Sequence, residues 1–259
     1  MQNSMFSAMF GAMAQEMRLR TITNNLANVN TTGYKKDNLA FKDTFIRFAH
    51  DTIYEPVANL RSDKLFPRPM QVARPRLALA LTNFSQGSMR STGGPLDMAI
   101  AGDGFFKIRT PDGDYYSRNG HFQVTPEGVL VTEQGWPVLG QGGEIALPPN
   151  AHVTVDGEGR ILADGAEVDQ FQVVTVDNLA LLEKRGENLY QGRNNQPLNE
   201  VDATGATVNQ GFLEASNVNV VEEMVNMIEA QRTFEAYTKM ITNTQETDLK
   251  AVTQVGRVK

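Results

Sequence analysis

Residues Asn217 to Val255 read NVNVVEEMVNMIEAQRTFEAYTKMITNTQETDLKAVTQV, 39 positions with no proline and no glycine. Asn219 stands where a helix N-cap belongs. Glu222, three residues on, can close a capping box, and Glu223 suits the positive end of the helix dipole. Gly256 is placed to end the helix. A helix of 38 residues from Val218 spans about 57 Å at 1.5 Å per residue, longer than a compact domain of this chain length requires. Along it Met224, Met227, Gln231, Phe234, Thr238, Ile241, Gln245, Asp248, Val252 and Val255 recur at alternating steps of three and four, the seam spacing of a coiled coil. Gln231, Thr238, Gln245 and Asp248 make that seam impure, so the helix alone buries little and its pattern calls for a partner.

The candidate partner lies at the opposite end of the chain. Met1, Met5, Met9, Met13 and Met17 recur every four residues, and Leu19, Ile22, Leu26 and Val29 continue at steps of three, four and three. This predicts one helix over the first thirty residues or so. Methionine is unbranched and adaptable, which suits core filling and equally suits a surface that fits more than one neighbour. Asn24, Asn25, Asn28 and Asn30 are poor helix formers on or beside the same stripe, so their amides are expected to bond something. Gly33, after Thr31 and Thr32, is placed to stop the helix before Tyr34, Lys35 and Lys36.

Between these ends the chain changes character. From Leu39 to Arg90 it reads as an irregular connection, with Phe41, Phe45 and Phe48 suggesting a helical turn or two and Pro56, Pro67, Pro69 and Pro75 punctuating the rest. Leu77 to Phe84 reads as a first strand. Short β-favouring runs follow at Met98–Ile100, Phe105–Ile108, Tyr115–Ser117, His121–Val124, Val129–Thr132, Val138–Leu139, Val153–Val155 and Phe171–Val176. Asp112-Gly113, Asn119-Gly120, Glu127-Gly128, Asp156-Gly157 and Asp164-Gly165 supply the turns. The fold class expected is a mainly β body, a sandwich or partly closed barrel, with long N- and C-terminal α-helices pairing as a coiled coil. Residues 177–210 are more weakly patterned.

Composition narrows the chemistry. With 41% hydrophobic residues in 259, a sizeable core is possible. There is no cysteine for a disulfide, a thiolate metal site or a thiol nucleophile, and His50, His121 and His152 lie far apart, so no cofactor or metal is expected. Residues 1–90 carry 12 basic and 6 acidic groups while residues 91–259 carry 12 and 24, so the ends of one copy could attract the body of another. The basic cluster Arg61, Lys64, Arg68, Arg74 and Arg76 is interleaved with prolines and has few stacking aromatics, which argues against nucleic acid. No apolar run is long enough for a membrane helix, and the first 20 residues lack the pattern of a cleaved secretory signal. Gly102-Asp103-Gly104 leads into the strand-like FFKIR rather than a helix, which favours a hairpin turn over a phosphate loop. Asp156-Gly157-Glu158-Gly159 lacks EF-hand spacing, and no serine sits in a hydrolase elbow, so an enzyme is not expected.

Three strings carry a family resemblance. NNLANVNTTGYKK (Asn24–Lys36), GPLDMAIAGDGFF (Gly94–Phe106) and GFLEASNVNVVEEMVNMIEAQRTFEAYTKMI (Gly211–Ile241) resemble, in order, signatures of the flagellar rod and hook family of axial proteins. The resemblance implies a structural subunit of the basal-body rod, polymerising helically into a hollow drive shaft. It also implies an N-terminal axial helix (1–33), a connecting region (34–76), a β domain (77–214) and a C-terminal axial helix (215–259). The expected assembly interface is Met9, Met13, Leu19, Ile22, Asn25, Leu26, Val29, Met224, Met227, Gln231, Phe234, Thr238, Ile241, Gln245 and Val252. Expected partners are further copies, rod proteins above and below, and the flagellar type III export apparatus, with no nucleic acid and no membrane insertion. Within the family, the length and the stretch Gly135–Pro149 favour the proximal over the distal part of the rod. The rival expectation is a soluble β-domain binding module whose helical ends dimerise.

Overall fold

The computed structural model describes residues 2–46, 72–149, 151–193, 196, 198–203 and 205–255. The chain divides into two units. One comprises residues 1–24, 38–81 and 221–259, the other residues 25–37 and 82–220.

The first unit holds the two long helices, α1 (Gln2–Ala27) and α2 (Val220–Val255), the last turn of α1 counting with the second unit. α2 begins one residue after Asn219, as the capping signal predicts, and carries Glu222 and Glu223 in its first turn. The helices pack closely: a Cβ added to Gly11 of α1 would lie 2.5 Å from the Tyr237 ring of α2. Strands Asp37–Ile46 and Val72–Thr82 pair with each other. That ladder corrects the reading of helical turns around Phe41 and Phe45. Leu39, Phe41, Asp43 and Phe45 follow one another at steps of two, the period of a strand, and both phenylalanines fall within it. Phe48, Pro56, Arg61, Lys64, Pro67 and Arg68 lie outside the described residues.

The second unit is built on a six-stranded antiparallel sheet. Its order is Leu182–Gly186, Leu189–Gly192, Gly113–Ser117, Phe105–Thr110, Val173–Val176 and Glu200–Asp202. Side chains alternate across it, so the adjacent residues Phe105 and Phe106 enter different cores. Phe106 joins Ile108, Phe122, Leu130, Val138, Ile145, Ile161 and Phe171, with edge-on ring contacts at 5.2 Å to Phe122 and 5.5 Å to Phe171. Phe105 joins Tyr116, Val174, Leu182 and Tyr190, against which Phe84 packs. Smaller ladders complete the unit: Met98–Ala101 with Thr207–Gln210, Met89–Ser91 with Phe212–Glu214, and the three strands Val153–Val155, Arg160–Ala163 and Ala166–Gln170. No sheet among the described residues closes into a barrel.

All eight short runs read from the sequence overlap strands, with ends shifted by two residues or fewer. The weakly patterned stretch 177–210 nevertheless adds four more strands. Gly102-Asp103-Gly104 is not a hairpin turn: Met98–Ala101 and Phe105–Thr110 belong to different sheets, and the triplet is the corner between them. Gly102 takes φ +100 there, a conformation that glycine reaches without steric cost.

Candidate assembly site

Within the first unit, burial along α2 defines the side it turns inward. Glu223, Met227, Ala230, Phe234, Tyr237, Ile241, Thr244, Asp248 and Ala251 are buried or half-buried and recur at alternating steps of four and three. This line shares Met227, Phe234, Ile241 and Asp248 with the seam read from the sequence. At the alternate positions it lies one residue earlier, so Met224, Gln231, Thr238, Gln245 and Val252 are exposed. At Tyr237 this line meets α1, where Gly11 leaves room for the ring, and at Ala230 it runs through a small, fully buried residue that a reading by large apolar side chains passes over.

On α1 the covered line runs through Ala8, Gly11, Gln15, Leu19, Ile22 and Asn25. Leu26 and Val29 are half-buried. The methionine stripe faces outward: Phe6, Met9, Met13 and Met17 are exposed, Met13 to 54%. α2 bears a second exposed apolar stripe at its N-terminal end, formed by Val221, Met224, Val225 and Ile228, with Val221 exposed to 70%. Large exposed apolar side chains at i, i+3, i+7 and i+11 on α1 and at i, i+3, i+4 and i+7 on α2 form continuous patches rather than scattered single residues, and such patches mark interaction surfaces.

Within the second unit, residues of the first and third sequence signatures meet at a buried polar joint. After α1 the chain turns through Asn28 to Gly33, and Gly33, at φ +69, donates its N–H to the Glu214 carbonyl at 2.8 Å. A Cβ at Gly33 would lie 2.5 Å from the Asn119 nitrogen, so both conformation and space demand glycine. Asn25 is buried. Its Oδ1 accepts from the Asp37 N–H at 3.0 Å and from the Tyr34 hydroxyl at 3.1 Å, and its Nδ2 donates to the Asp37 carbonyl at 3.0 Å. Lys184 lies 4.1 Å from the centre of the Tyr34 ring and donates to Asp37 Oδ2 at 2.8 Å.

Next to Tyr34 sits an ion cluster. The Lys35 ammonium donates to Glu214 Oε1 at 2.6 Å and to the Ser85 carbonyl at 2.8 Å. The same carboxylate accepts the Gly87 N–H at 2.8 Å and faces Arg118 Nη1 at 3.4 Å. Both Lys35 and Glu214 side chains are 1% exposed or less. Burial holds the Lys35 ammonium below its usual range, opposed by the Glu214 charge. Asn217 completes the joint, accepting the Lys36 N–H at 2.7 Å and donating to the carbonyls of Asn83 and Ser85 at 2.8 and 3.0 Å.

The structure therefore divides the residues singled out from the sequence. Met9, Met13, Met224, Gln231, Thr238, Gln245 and Val252 lie on open faces of the helices; Leu19, Met227, Phe234 and Ile241 are half-buried and Ile22 is buried. Asn25 is bonded within one copy. The joint residues Glu214, Arg118 and Lys184 are absent from the sequence reading, because a buried salt bridge between Lys35 and a residue 179 positions away has no local signature. Asp156 and Glu158, which lack EF-hand spacing, lie in a strand connection: Asp156 Oδ1 accepts the N–H groups of Glu158 and Arg160 at 3.0 and 2.9 Å. No group of three or more potential metal-ligating side chains occurs among the described residues.

Residues 5–35 match the flagella basal body rod protein family, residues 99–163 the flagellar hook protein FlgE/F/G D1 domain, and residues 209–254 the flagellar basal body rod FlgEFG protein C-terminal family. The chain is 37% identical over 262 residues to the flagellar basal-body rod protein FlgF of Caulobacter vibrioides, covering all of both chains. It is 34% identical over 269 residues to FlgG of Buchnera aphidicola from Schizaphis graminum (97% of this chain, 99% of the relative). It is 36% identical over 264 residues to FlgG of Bacillus subtilis (95% and 96%).

Proposed function

This chain belongs to the family of flagellar basal-body rod proteins, and from that premise we propose that it polymerises helically through α1 and α2 to form part of the drive shaft and of the channel inside it. The observation that carries this reading is the pair of exposed apolar stripes, Phe6 to Met17 on α1 and Val221 to Ile228 on α2. Burying a side chain of this size stabilises a contact by about 1.5–3 kcal/mol, so two stripes of four residues represent a large association energy that one copy leaves unused. The stripes differ from each other, so a contact joining the first on one copy to the second on the next is head to tail. Such a contact closes into a ring or continues as a helix. Pairing of α1 with α2 as a coiled coil within each copy presents both stripes at once.

In this reading the partners are further copies and rod components above and below, and the site of action is the basal body. Delivery by the flagellar type III apparatus, with the N-terminal segment retained, accords with α1 being part of the working surface. Met13→Asp and Ile228→Asp each place a charge where a single copy has open solvent. Each purified variant is expected to melt as the wild type does. Wild-type chain should sediment as growing polymer with rising concentration while both variants stay small, and cells carrying either variant should lack hook and filament. A wild-type chain that stops at a small defined oligomer would instead favour a binding module with dimerising ends.

A further inference from the structure

The chain has no cysteine, so its thioethers are the side chains most open to two-electron oxidation. Their placement is uneven. Met9, Met13, Met17, Met224 and Met240 are exposed on the two helices, and the first four make up half of the two apolar stripes. Met98, in the β core, is only 2% exposed. We propose that the stripe methionines are an oxidation-sensitive modification site, at which a peroxide switches the unassembled subunit from assembly-competent to assembly-blocked.

The chemistry is a single oxygen transfer. The thioether sulfur attacks one oxygen of the peroxide, an S–O bond forms as the O–O bond breaks, and the other oxygen leaves as water or an alcohol after taking up a proton. Sulfur loses two electrons and the peroxide gains them. The product is polar, so each sulfoxide turns a stripe position from one that favours burial into one that must find a donor or remain hydrated. One sulfoxide buried at a contact without a donor should raise the concentration needed for assembly on the order of tenfold. Dithiol-dependent sulfoxide reductases reverse the change. Once copies have assembled, the same sulfurs are covered, so the switch acts on the free subunit.

The inference rests on the assembly reading above, and the experiment separates the two. Full-length chain is treated with graded hydrogen peroxide, oxidation at each methionine is mapped by peptide mass, and polymer is measured by sedimentation. Expected are oxidation of Met9, Met13, Met17 and Met224 well before Met98, loss of polymer with the thermal transition of the β unit unchanged, and recovery after treatment with the reductases. Chain assembled before exposure should be protected at the same four positions. Polymer that forms normally from chain carrying sulfoxide at those positions would overturn the inference while leaving the assembly reading intact. Untreated chain that forms no polymer would overturn the assembly reading and this inference with it. A variant with Met9, Met13, Met17 and Met224 all changed to leucine should assemble and ignore peroxide; continued sensitivity would place the effect elsewhere and refute the proposal. Met13→Gln, which mimics the polarity of the sulfoxide, gives an independent measure, and an unchanged assembly threshold in that variant would count equally against it.

Discussion

Removing the Glu214 carboxylate should unfold the second unit far below its normal temperature. That carboxylate is fully buried and serves Lys35 at 2.6 Å, the Gly87 N–H at 2.8 Å and Arg118 at 3.4 Å. Glu214→Ala leaves an ammonium and a guanidinium enclosed together with only the weaker influence of Asp103 to offset them, and removing one partner of a buried pair costs about 3–5 kcal/mol. The orphaned Gly87 N–H adds about 1–3 kcal/mol. Set against a typical domain stability of about 5–15 kcal/mol, the sum removes much or all of it. For a unit of this size each kcal/mol lowers the midpoint by about 2–4 °C, which gives a fall on the order of 10–30 °C. Glu214→Gln keeps the shape and an acceptor for Gly87 but not the charge, so it should fall between alanine and wild type. The assay is thermal and urea unfolding followed by circular dichroism at concentrations where the chain is monomeric. Replacing Lys35 and Arg118 by methionine together with Glu214→Leu should recover most of the loss, because the cost lies in unpaired charge rather than in lost volume. If Glu214→Ala stays within about 1 kcal/mol of wild type, an ordinary surface effect, the buried-pair reasoning is wrong.

Substitutions at three further positions follow from the geometry. Gly33→Ala meets the Asn119 nitrogen at 2.5 Å in a positive-φ conformation and should cost about 2–3 kcal/mol by urea midpoint. Asn25→Leu removes the acceptor of the Tyr34 hydroxyl and the Asp37 N–H and the donor to the Asp37 carbonyl and should cost about 1–3 kcal/mol, and Asn25→Asp, which still accepts both bonds but sets a buried carboxylate oxygen against the Asp37 carbonyl, should also lower the urea midpoint. Gly11→Leu overpacks the contact with Tyr237; the β transition should hold while helical signal from the ends and assembly both fall, and a wild-type assembly threshold in that variant would refute the close helix approach.

What was legible in the sequence is what local pattern encodes. α2 announces itself by its cap and its uninterrupted length, and strands such as Met98–Ala101 and Phe105–Thr110 by β-branched and aromatic runs between turn dipeptides. What escaped is what depends on a distant partner. Tyr237 takes the place of Thr238 on the inward line because its ring lies against Gly11 of α1, a residue more than two hundred positions away in the chain. Glu200–Asp202 carries two charges in three residues, and what holds it at the sheet edge comes from distant residues, the Lys107 ammonium and the Tyr116 hydroxyl, which both donate to the Glu200 carboxylate. Lys35 and Glu214 stay unpaired in a reading of the sequence because nothing beside either one in the chain announces the other.

The asparagines show why this matters for deciding between a polymer and a self-contained module. A stripe of amides beside apolar residues suggests bonds to a neighbouring copy, and on that view Asn25→Leu would weaken assembly and leave folding alone. Its three hydrogen bonds all end on Tyr34 and Asp37 of the same unit, so the substitution strikes the fold first, and any loss of assembly would be a consequence. Asn25 therefore cannot discriminate between the two readings. Met13 and Ile228 can, because each is more than half exposed in one copy and has no stake in that copy's stability. The joint and the stripes then report on separate quantities, melting temperature for Glu214, Gly33 and Asn25, and assembly threshold for Met13 and Ile228. A binding module would require only the first set to matter, whereas a rod subunit requires both.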